Sequence, residues 1–237
     1  MCCKIKSQDF SPNGKPLDNI TKHIEKRNVL FSETISSDTC RLIEKIKNRP
    51  WLSSYYLAGG TALALHLGHR TSIDLDFFTE SEVEEMTIVD HLRTEGNLRL
   101  DHMGSGTIVG NLDGVRISIF KYPYRLLDSL IKWNGLNVAS IRDIALMKIV
   151  AIFQRGSIKD FIDLFFVVRK FKPIDVLIAE LSIKYVGVQF NTNHILRSLC
   201  YFEDAENEPM PSMIAACDWQ EVKEYFVSEV KRLSKIL

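Results

Sequence analysis

Apolar and polar positions fall into two regimes along this chain, one mixing strand and helix periods and one almost wholly helical. Leu42, Ile43 and Ile46 recur at helical spacing and predict a helix over 38–48, closed by Pro50. Tyr55 to Leu57 reads as a short strand running into Ala58-Gly59-Gly60-Thr61, after which Ala62 to Leu67 predict a helix stopped by Gly68. From Thr71 to Phe78 the period drops to two. Ile73, Leu75 and Phe77 are expected on the core face, with Ser72, Asp74 and Asp76 on the other. Ser81 and Glu84 predict a capping box for a helix through about Arg93. Strands are expected at 98–102, 107–112 and 115–122, the last two joined by the hairpin signal Asp113-Gly114.

Beyond a linker at 123–138 the pattern turns helical, opened by a second capping box at Ser140 and Asp143. Helices are predicted over 140–154, 159–170, 174–185, 192–202 and 218–235. The fold class is therefore α+β: an arm over 1–30, expected to be loosely ordered, an α/β core over 31–135 and a helical part over 136–237. No internal repeat or low-complexity segment interrupts this order.

Composition adds constraints. With 237 residues, 46% hydrophobic and 25% charged, the chain sits among ordinary folded proteins. Thirty Lys+Arg against thirty Asp+Glu exclude an overall field for nucleic acid or an anionic membrane, so any basic patch is local. The apolar runs Leu146–Phe153 and Phe161–Val168 are broken by Lys148 and Asp163 and are too short to span a bilayer. No secretory h-region precedes Arg27, and five cysteines without a Cys-x-x-Cys pair argue for a reducing cytoplasm. Locally the charge is lopsided. From Ser72 to Gly104 nine acids face two arginines, while from Arg142 to Lys172 seven bases face three acids. An acidic α/β part opposite a basic helical part suits a metal-bound anion held between them; solvated helix faces explain the same charges equally well.

Asp74 and Asp76, at i and i+2 of a strand, project together and could chelate Mg²⁺ through hard oxygens. Gly59-Gly60-Thr61 lies between a strand and a helix start, where free N–H groups and the helix dipole favour phosphate; a plain tight turn would use the same glycines. Lys148 and Arg155 sit on one helix face, from which two cations could reach phosphates. A lysine amid Leu146, Ile149 and Val150 needs a reason. Asp160 and Asp163 divide evenly between site and scaffold, since pairs with Arg155 or Lys159 could simply tie two helices together. His66, His69 and the adjacent Cys2 and Cys3 lack a third ligand at zinc spacing, so helix-end packing is expected of the histidines. Phe161, Phe165, Phe166 and Phe171 form a stripe expected in the core rather than a base-stacking platform.

The combination of Tyr56-Leu57-Ala58-Gly59-Gly60-Thr61-Ala62-Leu63-Ala64-Leu65 with Gly68-His69-Arg70-Thr71-Ser72-Ile73-Asp74-Leu75-Asp76-Phe77-Phe78 resembles the AbiEii/AbiGii toxin family of bacterial nucleotidyltransferases. Lys148-Ile149-Val150-Ala151 with Arg155, and Lys159-Asp160-Phe161-Ile162-Asp163-Leu164, resemble that family's later motifs. The likeness covers about Tyr55 to Arg169. It implies a DNA polymerase β-like nucleotidyltransferase core of mixed sheet and flanking helices, followed by helices, with use of Mg²⁺ and a nucleoside triphosphate. It further implies a toxin of a toxin–antitoxin or abortive-infection system, with phage defence as its role and a cognate antitoxin as partner. By that resemblance Gly59, Gly60, Thr61 and Ser72 would hold triphosphate, Asp74 and Asp76 the metal, and Lys148 and Arg155 the nucleotide. Asp160 would have a further catalytic or positioning role. The wider fold usually takes a third carboxylate from a later strand, yet Val115 to Lys121 offers none. Three readings stay open: nucleotide transfer to an RNA end such as tRNA, transfer to a small antibiotic-type molecule, and nucleotide binding without chemistry.

Overall fold

A computed structural model describes residues 30–235. All of the expected arm but Leu30, and the pair Cys2-Cys3, lie outside the described residues. The chain opens with α1 (Ser37–Ile46), capped by Ser36 Oγ, which accepts from Thr39 N at 3.1 Å. A short 3₁₀ turn leads to β1 (Tyr56–Leu57), then α2 (Gly59–Leu67) and β2 (Leu75–Thr79). After α3 (Glu85–Glu95) come β3 (Leu98–Gly104), β4 (Thr107–Leu112) and β5 (Val115–Lys121). A hairpin of β6 (Ile131–Trp133) and β7 (Leu136–Val138) precedes α4 (Ile141–Gln154) and α5 (Ile158–Lys170). The chain continues through α6 (Ile174–Lys184), α7 (Thr192–Ser198), α8 (Glu203–Glu206) and α9 (Trp219–Leu233).

The strands form one mixed seven-stranded sheet in the order β3-β4-β5-β2-β1-β7-β6. β2 is its hinge of direction, antiparallel to β1 and parallel to β5, with Asp76 abreast of Ser118. The β4–β5 turn is built as its sequence requires: Asp113 and Gly114 take φ values of 51° and 91°, the left-handed pair of a tight hairpin. α2 packs against β2 on one side and against α4 and α5 on the other. Buried residues of the sheet, such as Leu57, Leu75 and Ile117, belong to one core with Leu146, Phe161 and Phe226 of the helices.

Four expectations change. The stretch read as linker carries β6 and β7, and β7 pairs with β1 through Leu57 and Val138, so the division expected at 135 falls within a hairpin. Ser81 caps nothing: α3 begins at Glu85, Glu84 precedes it without a side-chain cap, and Ser81 N instead donates to Thr79 Oγ1. β2 starts only at Leu75, and Ile73, expected in the core, is 61% exposed. The helix expected over 192–202 ends at Ser198. The aromatic stripe behaves as foreseen at Phe161, Phe165 and Phe166, which are buried, while Phe171 is exposed.

Candidate active site

The site grows from the glycine bend between β1 and α2. Ala58 N donates to Asp76 O, which pins the end of β1 across the middle of β2. Gly59 then adopts φ +67°, and a Cβ there would stand 2.9 Å from Asp76 Oδ2, so only glycine lets the backbone lie against that carboxylate. At Gly60 a Cβ would collide with Arg70 Nη2 and approach Ser72 Oγ to 3.5 Å. α2 has no side-chain cap at its start, which leaves its first N–H groups without a capping acceptor. Bend, carboxylate and cation are therefore within contact of one another.

Ser72, Asp74 and Asp76 are each partly exposed; Ser72 and Asp74 precede β2, and only Asp76 lies on the strand itself, between the buried Leu75 and Phe77. Among the described residues neither Asp74 nor Asp76 forms an ion pair. Burial pushes the Asp76 carboxyl above the usual carboxylate range, and repulsion from Asp74 adds to this; a hydrogen bond from Ser118 and the charges of Lys148 and Arg155 pull the other way. Ser118 stands abreast of Asp76 on β5 and is 2% exposed. Two adjacent carboxylates without a cationic partner, one of them kept from ionising freely, fit a divalent cation. No group of three or more His, Cys, Asp or Glu among the described residues is placed to hold a metal, so other oxygens would have to complete its shell.

Thr61 stands differently from its expected place on the triphosphate. It is 1% exposed, and its hydroxyl bonds to the Asp74 carbonyl oxygen and lies 2.8 Å from Ser72 Oγ. Its place is behind the site, tying α2 to the segment that carries Ser72 and Asp74.

Lys148 is likewise not open to a nucleotide. It is 6% exposed, and its Nζ lies 2.7 Å from both Asp160 Oδ1 and Asp163 Oδ2. Burial alone would lower its pKa, but the two carboxylates outweigh burial and raise it. Asp163 is fully enclosed and receives Arg70 Nε at 2.7 Å, Arg70 Nη2 at 2.9 Å and His69 Nε2 at 2.8 Å as well. Desolvation opposes its charge; Lys148 and Arg70 overcome that and hold it well below the ordinary range. Asp160 is held down in the same way by Lys148 and Arg155. Arg155 bonds Asp160 Oδ2 through Nε at 3.0 Å yet keeps 68% of its side chain exposed. Both acids are buried; Asp163 is bonded only within the interior, whereas Asp160 joins Lys148 to the exposed Arg155.

Arg70 and Ser118 were given no role by sequence reasoning. Arg70 joins Gly60 to Asp163 and feels Asp74, and its backbone is fixed by a bridge to Met213, with Thr71 N donating to Ser212 O at 2.8 Å. The only local signal was its place just before the Asp-x-Asp strand; its partner lies 93 residues on. His66, as expected, packs at a helix end, 2.8 Å from Ala139 O.

Similarity to known proteins agrees with this architecture. A chain from Aquifex aeolicus (strain VF5), known as uncharacterized protein aq_aa25, is 39% identical over 197 residues, covering 80% of this chain and 92% of that one. The crystal structure of JHP933 from Helicobacter pylori superposes with a TM-score of 0.51 at 16% identity, over 86% of this chain and 94% of that one. A second H. pylori chain, described as a candidate nucleotidyltransferase, gives 0.52 at 16% identity over 88% and 99%. These two likenesses speak for the fold. Residues 41–235 match the family described as nucleotidyl transferase AbiEii toxin, type IV toxin–antitoxin system. The chain belongs to that family of nucleotidyltransferase toxins.

Proposed function

We propose that this enzyme transfers a nucleotide from a nucleoside triphosphate to the end of an RNA such as tRNA, in the cytoplasm, as a Mg²⁺-dependent toxin of a phage-defence system held in check by a cognate antitoxin. The observation that supports the chemistry is the close approach of the Gly59 backbone to Asp76, where a Cβ would stand 2.9 Å from Oδ2, so that the glycine bend lies beside the carboxylates of Asp74 and Asp76.

The uncapped N–H groups of Gly59 and Gly60 at the start of α2 bind the triphosphate, aided by the helix dipole, and Ser72 Oγ beside them donates to it. Asp74 and Asp76 would hold Mg²⁺ through their carboxylate oxygens. When bound, Mg²⁺ neutralises charge at the α-phosphate and on the departing pyrophosphate. Thr61 and Ser118 fix the strand segments that aim the two carboxylates. Arg70, Lys148, Asp160 and Asp163 act as positioning residues: they keep a balanced set of buried charges behind the bend, so Arg155 alone extends from it to solvent. The acceptor hydroxyl oxygen forms its bond to the α-phosphorus as the bond to pyrophosphate breaks, and the hydroxyl proton passes to solvent.

Incubating the protein with Mg²⁺, labelled triphosphates and total RNA tests this reading. The wild type is expected to label a discrete RNA. Labelling no greater than that of Asp74→Asn/Asp76→Asn overturns it. The neutral charge balance favours a second reading, a small-molecule acceptor, for which acceptor affinity would be nearly independent of salt.

A further inference from the structure

A cavity of about 320 Å³ opens where the end of α4 meets α7 and the turn into α8; its lining includes Phe153, Arg155, Gly156, Arg197, Tyr201 and Asp204. That volume is at the lower end of small-ligand sites. Phe153 and Tyr201 are 43% and 51% exposed, two aromatic rings at one opening. The Tyr201 hydroxyl donates to Glu203 at 2.8 Å, which limits the ring's freedom. Arg197 is exposed, and its side chain makes no hydrogen bond or ion pair with any described residue. Arg155 turns one edge to Asp160 and leaves the rest outside, so a single side chain is shared by the cavity and the charge network behind Asp76. Gly156, just beyond α4, takes φ +58°, a left-handed conformation that favours glycine.

We infer that this cavity receives an unpaired nucleotide of a single-stranded RNA acceptor, its base against Tyr201 and Phe153 and its phosphate on Arg155 and Arg197. The inference rests on the transfer reading above. Exposed aromatic rings beside guanidinium groups are the combination that recognises a base together with its backbone, since every base has a stackable face and each phosphate a charge. The donor triphosphate already has binding groups at Gly59 and Gly60. A second set of phosphate-binding side chains, on different helices, therefore belongs to a second nucleotide.

The test measures binding of a short fluorescein-labelled single-stranded RNA to the full chain by anisotropy, alongside thermal melts and the affinity for triphosphate with Mg²⁺. Tyr201→Ala is expected to weaken RNA binding about tenfold and Tyr201→Phe to retain it. Arg197→Ala should reduce the slope of log affinity against log salt by roughly 0.7. Melting and triphosphate affinity should be unchanged in all three. RNA affinity of Tyr201→Ala within about twofold of wild type overturns the assignment, as does a loss of triphosphate affinity in its place, which would give the cavity to the donor base. Binding needs no turnover. A wild type that transfers nothing while its RNA affinity still depends on Tyr201 would sink the transfer reading and leave the cavity standing; labelled RNA with a silent Tyr201→Ala would do the reverse.

Discussion

Removing the Asp163 carboxylate is the most incisive perturbation of the charge network. Asp163 accepts four contacts of 2.7 to 2.9 Å, from Arg70 Nε and Nη2, His69 Nε2 and Lys148 Nζ, with no exposure of its side chain. In Asp163→Ala, Arg70 and Lys148 keep their positive charges in the interior with Asp160 as the remaining acid. Breaking a buried pair in this way costs about 3–5 kcal/mol, because the orphaned charges cannot regain water. Asp160→Ala removes as many charges but spares more. Lys148 keeps Asp163, and the largely exposed Arg155 relaxes into solvent, so about 1–2 kcal/mol is expected. At roughly 2–4 °C per kcal/mol for a chain of this size, the melting temperatures should fall by about 6–20 °C and about 2–8 °C respectively. Urea unfolding monitored by circular dichroism supplies the two free energies, and thermal melts supply the two temperature shifts. Equal losses for the two variants, or a larger loss for Asp160→Ala, would refute the division into an interior acid and a linking one. Should Asp163→Ala not fold, wild-type protein still carries the test. The lowered pKa values of Asp160 and Asp163 give stability that is complete above the unfolded carboxylate pKa of about 4 and is lost as pH falls through their native values. The raised pKa of Lys148 gives stability complete below about 10.4 and lost as pH rises beyond it. Stability should thus be flat between these limits as far as the network sets it, with acid loss confined below about pH 4.

Asp74→Asn and Asp76→Asn should each lower the transfer rate about a thousandfold, some 4 kcal/mol of transition-state stabilisation, with melting little changed; single-turnover labelling measures it. Because burial and Asp74 raise the Asp76 pKa, Mg²⁺ affinity should fall as pH drops through a range above the ordinary one, and Asp74→Asn should move that fall to lower pH; calorimetric titration across pH 4–7 checks the sign, and a pH-independent affinity contradicts it. Gly59→Ala combines a strained φ of +67° with a Cβ 2.9 Å from Asp76 Oδ2, so about 1–3 kcal/mol of stability and most triphosphate binding should be lost; unfolding and thermal shift with triphosphate report the two.

How far the sequence foretold this arrangement depends on the range of each contact. Strand, glycine bend and helix around Gly59, and the hairpin at Asp113-Gly114, rest on local backbone preferences and were readable directly. The spacing of Asp74 and Asp76 was readable too, but not its setting, since Asp74 stands one residue before β2 begins and only Asp76 lies on the strand. Ile73 broke the alternation because β2 had not yet begun there, a boundary set by pairing with β5 rather than by composition. The short β6 and β7 carry too few alternating residues to signal strands, and β7 owes its place to its parallel register with Leu57. Lys148 could be singled out as a buried cation, but its two acids were ambiguous. The choice between them depends on Arg70, which arrives from another part of the chain.

That dependence has a functional corollary. Arg70 is fixed on three sides: by Asp163 at its guanidinium, by Gly60 against Nη2, and by the Met213 segment along its backbone. Any movement of the bend toward Arg70 would meet a buried cation held by a fully enclosed carboxylate, and separating that pair is disfavoured by several kcal/mol. The bend, the two carboxylates and the buried network are therefore joined in one connected frame. In such a frame only side chains reaching from its edge, as Arg155 does, remain free to respond to a substrate.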